Sequence, residues 1–333
     1  MNALVAMIVS LLVFPGLLFA LVAALLFGWV RSYARAGVQG WSGSLPRISL
    51  REVARRLRQG STLPEGTFAP LMQVLPVLAV ICPLLVLVFL PLPGNNGANN
   101  TTYTADVVAI SALLFGLPIA RTVLGWSTPS PYTQMAATRS ARQLMGYFIP
   151  FALAVAVAAA IGTSLQLFTI STHQFTFPGH QTIVNLNAVQ LMGAARIIAG
   201  LTYFLCLPIL ARLTPIREGQ GPLDLVGNEL TELSGRELLV MRIGEWMQLV
   251  AALGFGIALF VLPFFHTDGQ RGTAAIIFGI LGAVVLGIWD GAAPSMRPAR
   301  DELDAPLSIW FGTQTFLGII ALLLLVLAQR YIL

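Results

Sequence analysis

The sequence is poor in every residue type that usually builds a soluble active site. Only 10% of its 333 residues are charged, none is lysine, and it has two cysteines and three histidines. A soluble domain carries about 25% charged residues, so this composition excludes an ordinary soluble protein. Cys82 and Cys206 lie in apolar stretches, and neither they nor the histidines show metal-ligand spacing. With no glycine-rich nucleotide motif either, we expect no catalytic residue, metal site or cofactor bound by this chain alone.

Long apolar runs take the place of these polar groups. Runs of 18 or more residues are long enough to cross a hydrocarbon core of about 30 Å as helices. Backbone polar groups facing lipid must be paired internally, which favours helices over open strands. The sequence therefore predicts an all-α, polytopic membrane protein with a single membrane domain over 1–333. The eight predicted spans are roughly 3–30, 68–92, 104–126, 145–170, 188–211, 238–265, 272–291 and 306–329.

The arginines predict the orientation of these spans. Loop 31–67 holds seven of them, while 93–103 and 171–187 hold none. The positive-inside rule then places the loops 31–67, 127–144, 212–237 and 292–305 in the cytoplasm and both termini on the outer, periplasmic side. Because the arginines are divided among loops, the net charge of +5 does not indicate nucleic-acid binding. We expect a multi-pass protein of a bacterial or archaeal inner membrane.

Two of the predicted cytoplasmic loops have helical patterns. Around Arg51 and Arg55 the apolar residues share one face, which suits either a helix lying on anionic lipid or a helix that docks a soluble partner. Asp224, Glu229 and Glu232 form an acidic cluster in the third loop. That cluster fits a solvated helix face or a polar entrance into the bundle.

A few charges fall inside predicted spans, where each costs roughly 2.5–3.5 kcal/mol on insertion scales. Such a charge usually faces a partner or a hydrated cavity, so Arg196 and Glu245 are candidate functional residues. For Arg196, a static ion pair that fixes helix packing is the alternative. Asp106 and Asp290 lie near span ends, where we expect them to be hydrated.

The junction between the third and fourth spans carries the most specific pattern. A turn over 128–131 is followed by Arg139 and Arg142 on a helix-like face. Nine positions over 24 match, without a gap, the third cytoplasmic loop of the H-type membrane subunit (subunit 1) of respiratory complex I. They are Gly125, Trp126, Ser130, Tyr132, Ala137, Arg139, Ala141, Gln143 and Tyr147. The acidic loop and Glu245 also resemble that family, and the opening span and Arg297 resemble the related membrane subunit of group 4 hydrogenases and formate hydrogenlyase.

The resemblance implies a membrane-arm subunit of a complex-I-like oxidoreductase. Such a subunit anchors peripheral iron–sulfur subunits on its cytoplasmic face, adjoins antiporter-like membrane subunits, and couples electron transfer to quinone reduction or ion translocation. Quinone would bind at the interface, and iron–sulfur clusters would belong to partners. Together with the intramembrane charges and the acidic loop, the resemblance predicts a coupling or quinone-chamber role for Asp224, Glu229, Glu232, Glu245 and Arg196. Together with the basic loop pattern, it predicts a docking role for Arg139, Arg142, Tyr132, Trp126, Arg51, Arg55 and Arg297.

Three positions depart from the family pattern. Phe148, Gly227 and Thr231 stand where the family carries glutamate. These substitutions keep open a non-pumping structural anchor. The resemblance of the opening span and of the last predicted cytoplasmic loop keeps open a [NiFe]-hydrogenase-type complex, in which a partner would hold the NiFe centre. A stand-alone transporter or channel is a further alternative, although the sequence shows no internal repeat of the kind common in transporters.

Overall fold

The computed structural model describes residues 17–38, 66–91, 106–172, 186–210, 233–265, 267–292 and 304–330, together with Gly40, Arg55, Leu57, Arg58 and Leu230. Nine α-helices lie in these residues. They are α1 Leu17–Val38, α2 Ala69–Phe89, α3 Val107–Trp126, α4 Pro131–Ile161, α5 Leu167–Thr172, α6 Leu186–Leu210, α7 Gly235–Phe260, α8 Asp268–Ala292 and α9 Asp304–Arg330. A 3₁₀ turn at Leu262–Phe264 follows α7.

Eight of these helices are long and apolar enough to cross a membrane, and only α5 is too short. The predicted all-α fold with eight spans is confirmed. Consecutive spans alternate in direction. One side of the bundle therefore holds the ends of α1, α3, α6 and α8 together with the beginnings of α2, α4, α7 and α9. We call that side of the bundle the basic end and the other side the opposite end. That the basic end faces the cytoplasm remains a prediction.

Helix α7 forms the centre of the bundle and is the most deeply buried span. Side-chain hydrogen bonds connect it to α3 and α6. The Gln248 amide donates to the carbonyl of Leu114 on α3 at 2.6 Å, and the Tyr203 hydroxyl on α6 donates to the carbonyl of Ala252 at 2.7 Å. Such bonds stabilise contacts between helices where lipid offers no polar alternative.

Helix α1 is the least buried span, and it packs mainly along α8. Gly287 makes this approach possible, because a Cβ atom there would lie 2.5 Å from the carbonyl oxygen of Arg31 and 2.8 Å from Cβ of Ala34. The same turn of α8 carries Asp290, so the approach also decides which α1 residues Asp290 meets.

We expect Gly287→Ala to lower the free energy of unfolding by about 1–3 kcal/mol, because the added methyl group pushes α1 away from α8. Unfolding in mild detergent, followed by circular dichroism, measures this. Gly28→Ala on α1 is the matched control, since nothing lies within 4 Å of its added Cβ. It should leave stability unchanged or raise it by up to about 1 kcal/mol. Equal effects of the two variants would contradict the close approach.

The junction before α4 has the predicted turn. The Thr128 hydroxyl bonds to the Thr133 hydroxyl and donates to the carbonyl of Gly125 at 2.8 Å, while the Gln134 amide donates to the Thr128 carbonyl at 2.9 Å. Pro131 then begins α4, a position that suits proline because the first helical N–H has no partner within the helix. Helix α4 therefore extends without a break from this turn through the fourth span.

Candidate functional site: a buried ionic cluster and an exposed helix face

Glu245 lies on the third turn of α7, toward the basic end, between two arginines. Its Oε1 bonds to Nη1 of Arg121 on α3, and its Oε2 accepts from Nη1 of Arg242 at 3.0 Å. The Arg121 side chain is 2% exposed, whereas those of Glu245 and Arg242 are 17% and 36% exposed. The carboxylate thus joins a buried guanidinium to one that reaches the edge of the bundle.

Asp290 is the second carboxylate of this region, and the expectation that it is hydrated is wrong. Its side chain is buried, and its Oδ2 lies 3.1 Å from Nη1 of Arg35 and 3.5 Å from Nη2 of Arg31. A carboxylate buried this far from water needs such partners, since an isolated charge is strongly destabilised in an apolar interior. The close packing of α1 on α8 therefore supplies the two arginines.

The two groups form one ionic cluster, because Glu245 is near enough to Arg31 for an electrostatic interaction. The cluster comprises Arg31, Arg35, Arg121, Arg242, Glu245 and Asp290. Four positive charges lie near two negative ones, so the cluster has a net positive charge that attracts further anions. Chemically, the arrangement can hold a proton-accepting carboxylate in a buried, positively charged setting that opens toward the basic end.

Arg196, the other predicted intramembrane charge, lies elsewhere in the bundle. Its Nη2 donates to the carbonyl of Leu259 at 2.7 Å, and its guanidinium lies 6.0 Å from the ring centroid of Phe264. Leu259 is fourteen residues after Glu245 on α7, which corresponds to about 21 Å along the helix axis. The structure therefore does not bring Arg196 and Glu245 together, and Arg196 joins α6 to the opposite end of α7.

Arg121 is the functional candidate that sequence reasoning missed. It lies inside the predicted third span, and an arginine there is a sufficient signal by the same argument applied to Arg196 and Glu245. Hydropathy places Arg31 and Arg35 in a loop, because the first predicted span ends at residue 30. In the structure α1 continues to Val38, which places both arginines within the helix.

The docking residues predicted on the junction share one exposed helix face. Tyr132, Met135, Arg139 and Arg142 follow one another at helical spacing on α4, and all four are exposed. We call these four residues the α4 face. Trp126 is half exposed beside it, and its indole N–H donates to Thr138 across the turn at 3.4 Å. The structure thus brings Trp126, Tyr132, Arg139 and Arg142 to one surface at the basic end.

Position 148, where the resemblance implies a glutamate, carries a phenylalanine that packs on a neighbouring ring. Phe148 is 53% exposed and packs edge-on against Phe115, with 5.4 Å between ring centroids. Tyr147 beside it is buried and stacks on the same Phe115 ring, with 5.4 Å between ring centroids. Phe115, Tyr147 and Phe148 therefore form an aromatic cluster between α3 and α4.

Several predicted site residues lie outside the part of the chain that the structure describes. These are Asp224, Glu229, Glu232, Arg51 and Arg297. Of the predicted basic helix, Arg55, Leu57 and Arg58 are described, and they are helical and exposed. Within the described ranges, no group of three or more histidine, cysteine, aspartate or glutamate residues could hold a metal ion.

Comparison with known proteins decides the family. The model of the NADH dehydrogenase family matches residues 3–328, which is nearly the whole chain. The chain belongs to this family. The match confirms the resemblance that the 125–147 junction carries, and this family member is an H-type membrane subunit of the complex-I-like respiratory complexes.

Individual relatives agree with this assignment. The H 1 subunit of NADH-quinone oxidoreductase from Solibacter usitatus is 24% identical over 300 residues, which cover 85% of this chain and 71% of that protein. The H-type subunit of the same enzyme from Desulfotalea psychrophila is 27% identical over 199 residues, covering 60% of this chain and 59% of that protein. The family member is therefore a multi-pass protein of the cytoplasmic membrane.

The fold also resembles a solved structure. A chain of the membrane-bound sulfane sulfur reductase, an archaeal respiratory membrane complex, superposes with a TM-score of 0.67 and covers 93% of this chain and 97% of its own length. At 18% identity, this similarity concerns the fold alone.

Proposed function

We propose that this family member anchors the peripheral iron–sulfur arm of a complex-I-like oxidoreductase on its α4 face and couples electron transfer to ion movement through the ionic cluster. The observation that carries the proposal is the position of both features at the same end of the bundle. A change of charge or conformation at a docked arm would therefore act on buried charges only a few helical turns away.

The α4 face supports docking because it combines an aromatic ring with two arginines. Aromatic residues and arginine are enriched in the energetically important parts of protein interfaces. Trp126 adds a second ring, and its hydrogen bond to Thr138 holds it in place before a partner binds. Electrostatic attraction then brings a partner with acidic residues toward this side of the membrane.

The ionic cluster supports coupling because its charges are shared between four spans. Arg31 and Arg35 lie on α1, Arg121 on α3, Arg242 and Glu245 on α7, and Asp290 on α8. Protonation of Glu245 removes the negative charge that Arg121 and Arg242 face, and two close guanidinium groups then repel each other. A proton transfer at Glu245 is thereby linked to the relative positions of α3 and α7. Quinone at the interface with the arm is part of this proposal, as the electron acceptor.

Phe148, in place of the glutamate that the resemblance implies, favours a second candidate, a non-pumping anchor within a hydrogenase-type complex. A phenylalanine cannot carry a proton, and its ring packs against Phe115. In that case the ionic cluster fixes four helices to one another without moving a proton. Both candidates require the same docked iron–sulfur arm.

Purification of the intact complex from its native host in a mild detergent tests the docking part. We expect proteins containing iron and acid-labile sulfide to copurify with this chain, at a constant ratio through size-exclusion chromatography. Nickel in the same fraction would favour the hydrogenase-type complex. A chain that migrates alone, with no iron, and that transports ions in liposomes would contradict the proposal and favour the transporter alternative.

A further inference from the structure

A large apolar cleft lies between α1, α2, α7 and α8, on the side of the ionic cluster that faces the opposite end. Its volume is about 560 Å³, and every residue that lines it is apolar or a glycine. Phe19, Leu26 and Trp29 form the α1 wall, and Leu90 and Gly254 lie across from them on α2 and α7. Ligand pockets of roughly 300–1,000 Å³ hold molecules of the size of a drug or a lipid chain.

The length of the cleft matches one leaflet of a membrane. On α1 it extends from Phe19 to Val30, and on α8 from Gly272 to Ala283. Eleven residues of helix correspond to about 16 Å, and half of a hydrocarbon core of about 30 Å is about 15 Å. The cleft begins at the opposite end of the bundle and stops near the middle of the membrane, just before Arg31. Its occupant therefore enters from the leaflet at the opposite end.

Arg271 is the arginine next to the cleft along α8. It directly precedes Gly272, which lines the cleft, and it is one helical turn from Ala275, another lining residue. Its Nε donates to the carbonyl of Phe265 at 3.1 Å, which orients the planar guanidinium at this edge. Arginine is well suited to binding a phosphodiester, because its planar group donates two parallel hydrogen bonds. A basic group above an apolar slot one leaflet deep is complementary to a phospholipid.

We propose that the cleft binds one phospholipid of the leaflet at the opposite end, with an acyl chain between α1 and α7 and its phosphate at Arg271. The lipid fills the gap between α1 and α2 and supports the α1 segment that leads to Arg31 and Arg35. An isoprenoid quinone fits less well. With its head inside the cleft, the polar ring would lie among apolar side chains. With its tail inside, the tail would be longer than the cleft, which is one leaflet deep. This site is separate from the α4 face and does not depend on the proposed coupling.

Lipid binding to the full chain tests the proposal. The chain is purified in mild detergent, stripped of lipid, and incubated with dioleoylphosphatidylglycerol, and bound molecules are counted by native mass spectrometry. Ala275→Trp fills the cleft, and Ile277→Trp places the same side chain on an exposed position of α8 outside it. Arg271→Gln removes the charge next to the cleft, and Arg330→Gln removes an exposed arginine at the opposite-end terminus of α9.

We expect one tightly bound phosphatidylglycerol in the wild type, in Ile277→Trp and in Arg330→Gln. Affinity should fall at least tenfold in Ala275→Trp and in Arg271→Gln. Phosphatidylethanolamine bound in the same way also supports the proposal, since it shares the phosphodiester. Equal binding by Ala275→Trp and Ile277→Trp would overturn it, as would displacement of the lipid by inorganic phosphate or by a menaquinone at equal concentration. A Tm of Ala275→Trp equal to that of the wild type confirms that the variant is folded.

Discussion

Replacing Glu245 with leucine is expected to lower the free energy of unfolding by about 3–5 kcal/mol, because Arg121 then stays buried without its carboxylate. Adding Arg121→Leu to that variant is expected to restore a large part of the loss. Two leucines of suitable volume replace the pair without an uncompensated charge in the apolar interior, and Arg242 reaches the edge of the bundle through its flexible stem.

A double-mutant cycle in mild detergent measures this coupling, with unfolding followed by circular dichroism. Glu245→Leu, Arg121→Leu and the double variant give an interaction energy of at least about 1 kcal/mol if the two side chains act as a unit. Asp106→Leu is the control, because Asp106 is exposed and its replacement should change stability by no more than about 0.5 kcal/mol. Additive effects of the two leucine substitutions would show that the pair does not stabilise the bundle.

Reversing the charges of the α4 face is expected to weaken retention of the peripheral arm by about 2 kcal/mol or more, which is about thirtyfold or more in affinity. The variant is Arg139→Glu with Arg142→Glu. Both side chains are exposed, so the chain itself should fold and insert as before. The weakening should become smaller as salt is raised, because exposed charges are screened beyond about 10 Å at 0.1 M ionic strength.

Retention is measured as the ratio of iron to this chain after affinity purification of the complex. Arg330→Glu is the matched control, since it reverses an exposed arginine at the opposite end of the bundle. Its iron ratio should equal that of the wild type. If the double reversal also leaves the ratio unchanged at low salt, the arm does not dock on the α4 face.

The fold was predictable because long apolar runs in a membrane protein leave little choice of secondary structure. Eight spans, the turn before Pro131 and the helical face with Arg139 all follow from hydropathy, proline placement and helical spacing. The site was less predictable. The burial of Asp290 depends on the close approach of α1 to α8 at Gly287. The contact between Arg121 and Glu245 joins two residues that are 124 positions apart in the sequence. Sequence identifies a charge inside a span, but only the packing of the helices shows which charge it meets.

The arginines also show that sequence does not predict which group a charge contacts. Arg31 and Arg35 contribute to the positive-inside argument as loop residues, and in the structure they bind Asp290 within the bundle. Sequence groups Arg196 with Glu245 as charges inside predicted spans, whereas in the structure Arg196 contacts the far part of α7. Charged residues that look alike in the sequence therefore have different places in the fold. Arg31, Arg35 and Glu245 belong to the cluster at the basic end, and Arg196 joins two helices near the opposite end.

The number of protons translocated per electron in the intact complex shows whether the ionic cluster couples electron transfer to proton movement. The complex is reconstituted in vesicles with either wild-type chain, Glu245→Gln or Asp106→Asn, and proton uptake is recorded together with electron transfer. We predict that Glu245→Gln lowers the ratio to the background of uncoupled vesicles, while Asp106→Asn retains the wild-type ratio. A wild-type ratio in Glu245→Gln would contradict coupling through the ionic cluster and leave this protein the role of an anchor.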